Sequence, residues 1–500
     1  MTQIAVRVNI RYSTGALSGG NTYYDQEIDI TTDGADGTEP LLVDSPITYS
    51  FNSGFRPWSK SRSSSSFGSV KVYDQTWLND VNELSDRPPL VRLYVTIDDN
   101  PEEKVYDGKS YQSKYLGESV YEIMLAPFTE ILNEPLAGEM ILGLNPSVKL
   151  LPPLFIGRQA FQAEPMMYDY ANNVYLICSK ENNGPTYSIS GVRDNGDLLA
   201  LTTDYSLSTI TIDSNDYQAI TLVSPAVGKL TVDITGDSST TNQIYQSVGL
   251  MMDYREIDYD SVTDNAAGYY TTKYGQNIAQ HGWMDYGTQT VKDVMDLMAE
   301  SVTSCWHSKN GKDYYLDPLK VPEDEASILT IDKDNLLSEV TSDVDTAPNL
   351  SLRIGGRVNH FVFRDTEVAA GATQAEKDTV TSKARVTVDL AQTLAQHSVP
   401  DDNFVTVGAT HRAKQFKEMF LSTFTASNNN KIKAQVAHLC NLYGNKTRRF
   451  YKCSVTMNLL SLSMGDIVEI DYNDIENKKV QVVGISGDLR ENTLKLILWG

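Results

Sequence analysis

The segments CSVTMNLL (453–460), DIVEIDY (466–472), KKVQVVGIS (478–486) and TLKLILWG (493–500) decide the fold class. Val, Ile, Leu and Tyr dominate them. In TLKLIL the leucines Leu494, Leu496 and Leu498 recur at every second position, the spacing of one face of a strand. Met464-Gly465-Asp466 and Gly487-Asp488 interrupt the run where the chain must turn. Four strands in so short a segment predict a small barrel or sandwich.

Working towards the N-terminus, the pattern changes twice. Ile432, Val436, Leu439, Cys440 and Tyr443 recur at helical spacing, so 431–443 reads as a helix. Ala413, Phe416, Phe420 and Phe424 predict a second one over 409–424. From 431 to 452 the charged residues are all basic (Lys431, Lys433, Lys446, Arg448, Arg449, Lys452). The expectation is a solvated face, with a docking patch for an acidic neighbour as the alternative. LSLRI and VNHFVF flank Gly355-Gly356 as strands, and 369–378 reads as an exposed loop. Val291, Val294, Met295, Met298 and Val302 predict a helix over 289–302, opened by a weakened capping box of Thr290 and Asp293. The Met pair reads as core filler. A hairpin from Trp306-His307 through Asn310-Gly311 to YYLDPL (314–319) follows.

The first half of the chain is strand-like. VYLIC (174–178), TYSISGV (186–192), STITI (208–212), AITLV (219–223) and KLTVDIT (229–235) form one group. Asp194-Asn195-Gly196-Asp197 between two of them is a type I′ hairpin signal. Its acids lack the ligand order and closing Glu of a calcium loop. Further upstream lie AVRVNI (5–10), SVKVYD (69–74), VRLYVTI (91–97) and YEIMLA (121–126). The serine run 61–66 reads as a surface loop, and 76–84 as a short helix. The expected fold is mainly β with some α+β. Its units are an N-terminal barrel (1–158), an inserted β domain (159–250), an α+β middle region (251–430) and a helix with a C-terminal barrel (431–500).

The 500 residues carry 42 Lys+Arg against 65 Asp+Glu, a formal charge of −23. A protein that holds nucleic acid does so by neutralising phosphates, so this balance argues against genome packaging or sequence reading. The 28 Tyr suit half-wet sheet positions and interfaces. The N-terminus lacks the apolar core of a secretory signal, and no run of about 20 apolar residues offers a membrane span. Cys178, Cys305, Cys440 and Cys453 form no CxxC and read as buried thiols made in a reducing compartment.

No recurring catalytic arrangement stands out. His281, His307, His360, His397, His411 and His438 include no pair four residues apart and no HExxH. There is no GxSxG elbow and no Walker A loop. Gly355-Gly356 lacks the rest of a dinucleotide fingerprint. Cys305-Trp306-His307 has no further ligand at metal spacing. The acidic run 253–264 (Asp253, Glu256, Asp258, Asp260, Asp264) is interleaved with Tyr254, Ile257 and Tyr259 and reads as a strand edge or loop. The expectation is therefore a structural or assembly protein with no catalytic, cofactor-binding or metal residues.

A resemblance sharpens this. Ser463-Met464-Gly465-Asp466-Ile467-Val468-Glu469-Ile470, Lys479-Val480-Gln481-Val482-Val483-Gly484-Ile485 and Asn492 through Gly500 resemble the ending of tail-tip (baseplate) hub proteins of long-tailed bacteriophages, siphophage-like. Phe67-Gly68-Ser69-Val70, Arg92-Leu93-Tyr94-Val95, Val105-Tyr106-Asp107-Gly108 and Leu125-Ala126-Pro127-Phe128 look like the N-terminal barrel of that family. Residues 174–235 resemble its inserted β domain, and Val291 to Pro322 its helix, Trp hairpin and Pro exit.

The resemblance implies tandem barrels in a trimeric ring that closes the distal tail tube and opens for DNA ejection. It implies a homotrimer whose neighbours are the distal tail protein, the tape-measure protein and a central fibre or spike. DNA passes through the lumen without specific binding, and the chain does not insert into a membrane. The chain would reside in the virion after synthesis in the host cytoplasm. The alternatives are a receptor- or glycan-binding tip module using Trp58, Trp77 or Trp283, and a cell-wall or capsule hydrolase with two carboxylates about 5–10 Å apart.

Overall fold

In a computed structural model of the chain, the described residues are 4–12, 26–32, 42, 46–54, 63–73, 89–98, 100–128, 132–133, 141–145, 147–150, 154–156, 160–163, 165–180, 188–195, 197–235, 259–275, 282–284, 290–301, 303–343, 351–356, 416–421, 438, 441–442, 448–473 and 475–500. They form a mainly β protein of several sheets.

The N-terminal sheet has six strands, ordered Gln26–Thr31, Ile4–Tyr12, Leu90–Ile97, Glu103–Gly117, Val120–Leu125 and Ser69–Tyr73, all antiparallel. Strict alternation in Leu90–Ile97 puts Val91, Leu93, Val95 and Ile97 inside. This is the one-sided burial that the sequence pattern predicts. The edge strand Gln26–Thr31 carries Glu27 and Asp29, which pair with Arg11 and Arg7. Charges on an edge discourage further pairing.

The four expected C-terminal strands are present: Phe450–Val455, Ile467–Tyr472, Ile475–Asp488 and Thr493–Trp499. Four upstream strands complete their eight-stranded sheet: Thr330–Ile331 lies parallel to Ile467–Tyr472, Thr341–Asp343 lies antiparallel to Phe450–Val455, and two more come from near the N-terminus. Thr48–Asn52 runs antiparallel to the second half of Ile475–Asp488, with Thr48 opposite Asp488 and Asn52 opposite Gly484. Ser64–Phe67 then pairs with Thr48–Asn52. The serine run was therefore misread as a loop: Ser64, Ser65 and Ser66 lie in a strand, with Ser66 bonded to Ser50 through their hydroxyls at 2.7 Å. The ladder of a neighbouring strand outweighs weak serine propensity.

The N- and C-terminal sheets share one core. Val8, Leu93 and Ile123 from one belong to the same buried cluster as Val468, Val480 and Leu496 from the other. Between them stands an aromatic stack. Phe67 lies 4.6 Å from Phe128 and 4.7 Å from Tyr106, and Phe51 lies 5.8 Å from Phe128, between ring centroids.

The inserted region is a two-sheet sandwich. Ala160–Ala163, Leu230–Thr235, Ser188–Asp194 and Asp197–Leu198 make one sheet; Met166–Asp169, Val174–Lys180, Asn215–Leu222 and Tyr205–Ile212 make the other. Tyr175, Ile177, Val192, Ile220 and Val232 fill the space between them, a cluster separate from the main core. Arg193 pairs with Leu198 and Asp194 with Asp197, the hairpin that the Asn-Gly signal predicts, and Asn195 sits at φ 51°.

A small α/β unit fills the middle. Ser261–Asp264 lies parallel to Asp313–Pro318, which pairs antiparallel with Ser304–Ser308. The helices Asn265–Tyr274 and Val291–Ser301 lead into it. The capping box forms: Asp293 N–H donates to the Thr290 hydroxyl at 3.1 Å and Thr290 N–H to the Asp293 carboxylate at 3.2 Å.

One helix expectation fails. Within 409–424, Phe416–Leu421 is a strand, parallel to Ser351–Gly356. Phe-Lys-Glu-Met-Phe-Leu serves either period, and pairing with Ser351–Gly356 decides. The 76–84 helix and the 369–378 loop lie outside the described residues, as does most of 431–443; His438, Asn441 and Leu442 in that segment are helical.

Candidate functional site

The α/β unit meets the C-terminal sheet around a polar cavity of about 690 Å³. His307 and Asp317 form its floor. They face each other diagonally across the hairpin, because His307 pairs with Tyr315 and Trp306 with Leu316. His307 Nε2 lies 2.5 Å from Asp317 Oδ2, both residues are buried, and the imidazole stacks on Tyr315 at 5.3 Å. The second oxygen of Asp317 accepts from Asn265 Nδ2 at 2.8 Å. Asn265 opens the helix that Asp264 caps, its carboxylate accepting from Ala267 N–H at 2.9 Å.

The Ser463–Asp466 turn forms the opposite wall. Gly465 sits at φ 90°, and a Cβ there would stand 2.8 Å from Asp317 Cγ. This is one place where glycine is required, by backbone angle and by space. Asp466 Oδ2 accepts from Ser463 N–H at 2.7 Å. Burial pushes the Asp466 carboxyl above its ordinary range, against the pull of that bond, and Asp317 adds to the rise. Gln481, fully buried, stitches the two units together. Its amide donates to Pro318 C=O at 2.9 Å, and its carbonyl accepts from Lys320 N–H at 2.9 Å.

Behind the cavity lies a second polar layer. His438 is completely buried; its Nε2 donates to Leu319 C=O at 2.7 Å and its Nδ1 meets the Tyr274 hydroxyl at 3.0 Å. Burial pulls this imidazole down to about 3, which keeps it neutral. Arg448 reaches Glu323 with two bonds, at 3.1 and 2.8 Å, and donates to the carbonyls of Asn441 and Leu442. Burial alone would raise Glu323, yet bonds from Arg448 hold it below its ordinary value. Arg448 thus belongs neither to a solvated face nor to an exposed docking patch. It is an internal strut, while Arg449 beside it is exposed.

A hydrolytic triad also contains an imidazole–carboxylate pair, but there the carboxylate holds Nδ1 and leaves Nε2 for the nucleophile, whereas Asp317 occupies Nε2 of His307. Among the described residues no hydroxyl or thiol hydrogen-bonds to His307. Burial pushes the Cys305 thiol up, away from the reactive thiolate. Both Asp317 oxygens are occupied by internal donors. Such full satisfaction makes a rigid polar clasp between two units.

Sequence reasoning flagged His307 within Cys305-Trp306-His307, and named Gly465 as a turn residue and Gln481 within a family-like motif, but it missed Asp317 and Asn265 and joined none of them into a site. The period-2 register from Trp306-His307 to YYLDPL could have paired His307 with Asp317. Of the other features weighed, Asp264 is a helix cap and Asp260 is exposed beside Lys104 at 3.9 Å. Asp253, Glu256, Asp258, Trp58 and Trp77 lie outside the described residues. Trp283 lies in the strand Gly282–Met284, opposite Phe155. No group of three or more His, Cys, Asp or Glu among the described residues is placed to hold a metal, and no described helix is long and apolar enough to cross a membrane.

No family model and no curated protein matches the chain. Among solved structures, it is similar to a tail protein from Neisseria meningitidis MC58, with 10% identity, a TM-score of 0.41, and 99% of this chain and 96% of the other covered. It is similar to the prophage tail protein gp18 from Listeria monocytogenes at 9% identity and a TM-score of 0.40, covering 99% and 94%. It is also similar to the 43 kDa tail protein of prophage MuSo2 from Shewanella oneidensis at 8% identity and a TM-score of 0.38, covering 99% and 97%.

Proposed function

We propose that this chain is a structural protein of a bacteriophage tail, the hub of the tail tip. In this reading three copies form a ring that closes the distal tube and opens for DNA ejection. One observation supports it above the others. The segments that resemble the hub family at the two ends of the chain, around Phe67, Arg92, Tyr106 and Phe128 and across 463–500, pack on one shared core. Thr48–Asn52 even enters the C-terminal sheet. Tandem β units clasped this way suit a ring that bears load rather than one that turns over substrate.

The same reading names the distal tail protein, the tape-measure protein and a central fibre or spike as neighbours, and places the chain in the virion without catalytic activity. If acids line the lumen, the passing DNA slides rather than sticks, since phosphates find no counter-charge to hold them. Mass photometry of the full chain with and without purified tail tube tests the ring: trimers, alone or on the tube, are expected. A chain that stays monomeric beside tube ends sinks the hub reading. Labelling the protein on intact particles should mark the tail tip.

A further inference from the structure

The sandwich ends in a surface that the hub reading does not use. At the end carrying the turns 170–173, 195–204 and 223–229, five large apolar side chains point outward. Tyr170 is 63% exposed, Leu198 62%, Leu201 52%, Val223 69% and Val227 89%. The 141–150 hairpin extends the patch with Leu142, Leu144 and Val148. Backbone bonds join the pieces: Leu144 N–H donates to Tyr168 C=O, Tyr170 N–H to Asn145 C=O, and Val223 N–H to Asp204 C=O. An exposed apolar patch of this extent on a folded protein marks an interaction site.

The loops are held in place before any partner arrives. Asp194 accepts from the N–H groups of Val227 and Gly228 at 2.7 and 2.8 Å. Asp204 accepts from Ala200 N–H at 2.7 Å, and Asp169 from Ala171 N–H at 3.0 Å. Rigid loops lose little entropy on docking.

Charge selects the partner. The chain as a whole is at −23, so two copies repel over most of their surfaces. This end is different. Segments 141–150, 165–175, 193–204 and 223–230 carry Lys149, Arg193 and Lys229 against Asp169, Asp194, Asp197 and Asp204. Asp169 is buried, which leaves three basic residues against three acidic, a neutral rim of mixed sign around an apolar centre. Such a rim is complementary to itself. An anionic lipid surface would need a basic excess instead. We infer that this end of the sandwich is a contact between copies of this chain.

Sedimentation velocity of the full chain over a wide concentration range tests the contact. The wild type should associate, and V223D/V227D and L144D should each weaken that association at least tenfold. All three positions are exposed, so the variants should keep the wild-type circular dichroism and melting temperature. I328D, at an exposed apolar residue elsewhere, serves as the control and should associate like the wild type. Two results overturn the inference: a wild type monomeric at every concentration, or assemblies unchanged by the tip substitutions. A trimer that persists in V223D/V227D overturns it while leaving the hub reading intact.

Discussion

Gly465 and His438 show how much single positions carry in the clasp between the α/β unit and the C-terminal sheet. At φ 90°, with Asp317 Cγ 2.8 Å from the place a Cβ would take, Gly465→Ala combines backbone strain with a clash. It should cost about 1–3 kcal/mol, read as a lower urea midpoint at unchanged slope. His438 predicts a pH dependence. Its folded value of about 3 lies below the ordinary 6.5. Between those values the unfolded chain binds the extra proton, so the stability His438 confers is complete above about pH 6.5 and declines as the pH falls towards 3. The decline is at most about 1.4 kcal/mol per pH unit. His438→Gln can still donate to Leu319 C=O and accept from Tyr274, but it does not titrate. Urea titrations at pH 7, 5.5 and 4.5 should show the gap between wild type and variant narrowing as pH falls; a constant gap refutes the assignment. Little of this clasp is legible in the sequence. His307 stood out and Asp317 lies in its own hairpin, but Asn265, Gly465 and Gln481 come from separate segments, and only the tertiary fold brings them to that pair.

Elements were more legible, because alternation and turn chemistry are local. Asn195-Gly196 announced its hairpin; Asp213-Ser214 and Glu118-Ser119 did not, although they close two-residue loops with positive φ at both positions. Residues other than Gly, Asn or Asp pay for that conformation. Replacing Asp213-Ser214 by Asn-Gly should therefore stabilise the Tyr205–Ile212/Asn215–Leu222 hairpin by about 1 kcal/mol, measured as slower amide exchange at Ile210 and Tyr217. The two misread stretches fail for one reason. Ser64–Phe67 has weak strand propensity and Phe416–Leu421 has ambiguous period, and each owes its strand to a partner: Thr48–Asn52 for the first, Ser351–Gly356 for the second. In sequence, a strand that depends on its neighbour carries no signal of its own.

At the scale of the whole molecule, the strand groups were readable but their union was not. Nothing in the local pattern of Thr48–Asn52 tells that it belongs beside Gly484–Asp488, yet this pairing and the stack of Phe51, Phe67, Tyr106 and Phe128 tie the two ends of the chain together. The α/β unit is tied in as well: Gly311, at φ 95°, lies so close that a Cβ would overlap the Phe128 ring and the Asp107 carbonyl. The sandwich has cores of its own. A shared core unfolds as a unit, and a separate one unfolds by itself. Phe128→Ala should thus cost about 3–5 kcal/mol and loosen both terminal sheets together. Hydrogen exchange in mild denaturant is the measurement. Peptides from Leu90–Ile97 and from Thr493–Trp499 should lose protection by the same amount, while Val174–Lys180 and Asn215–Leu222 keep theirs. Loss confined to the N-terminal sheet would mean that the ends are merely adjacent, and the load-bearing clasp invoked for the ring would have no physical basis.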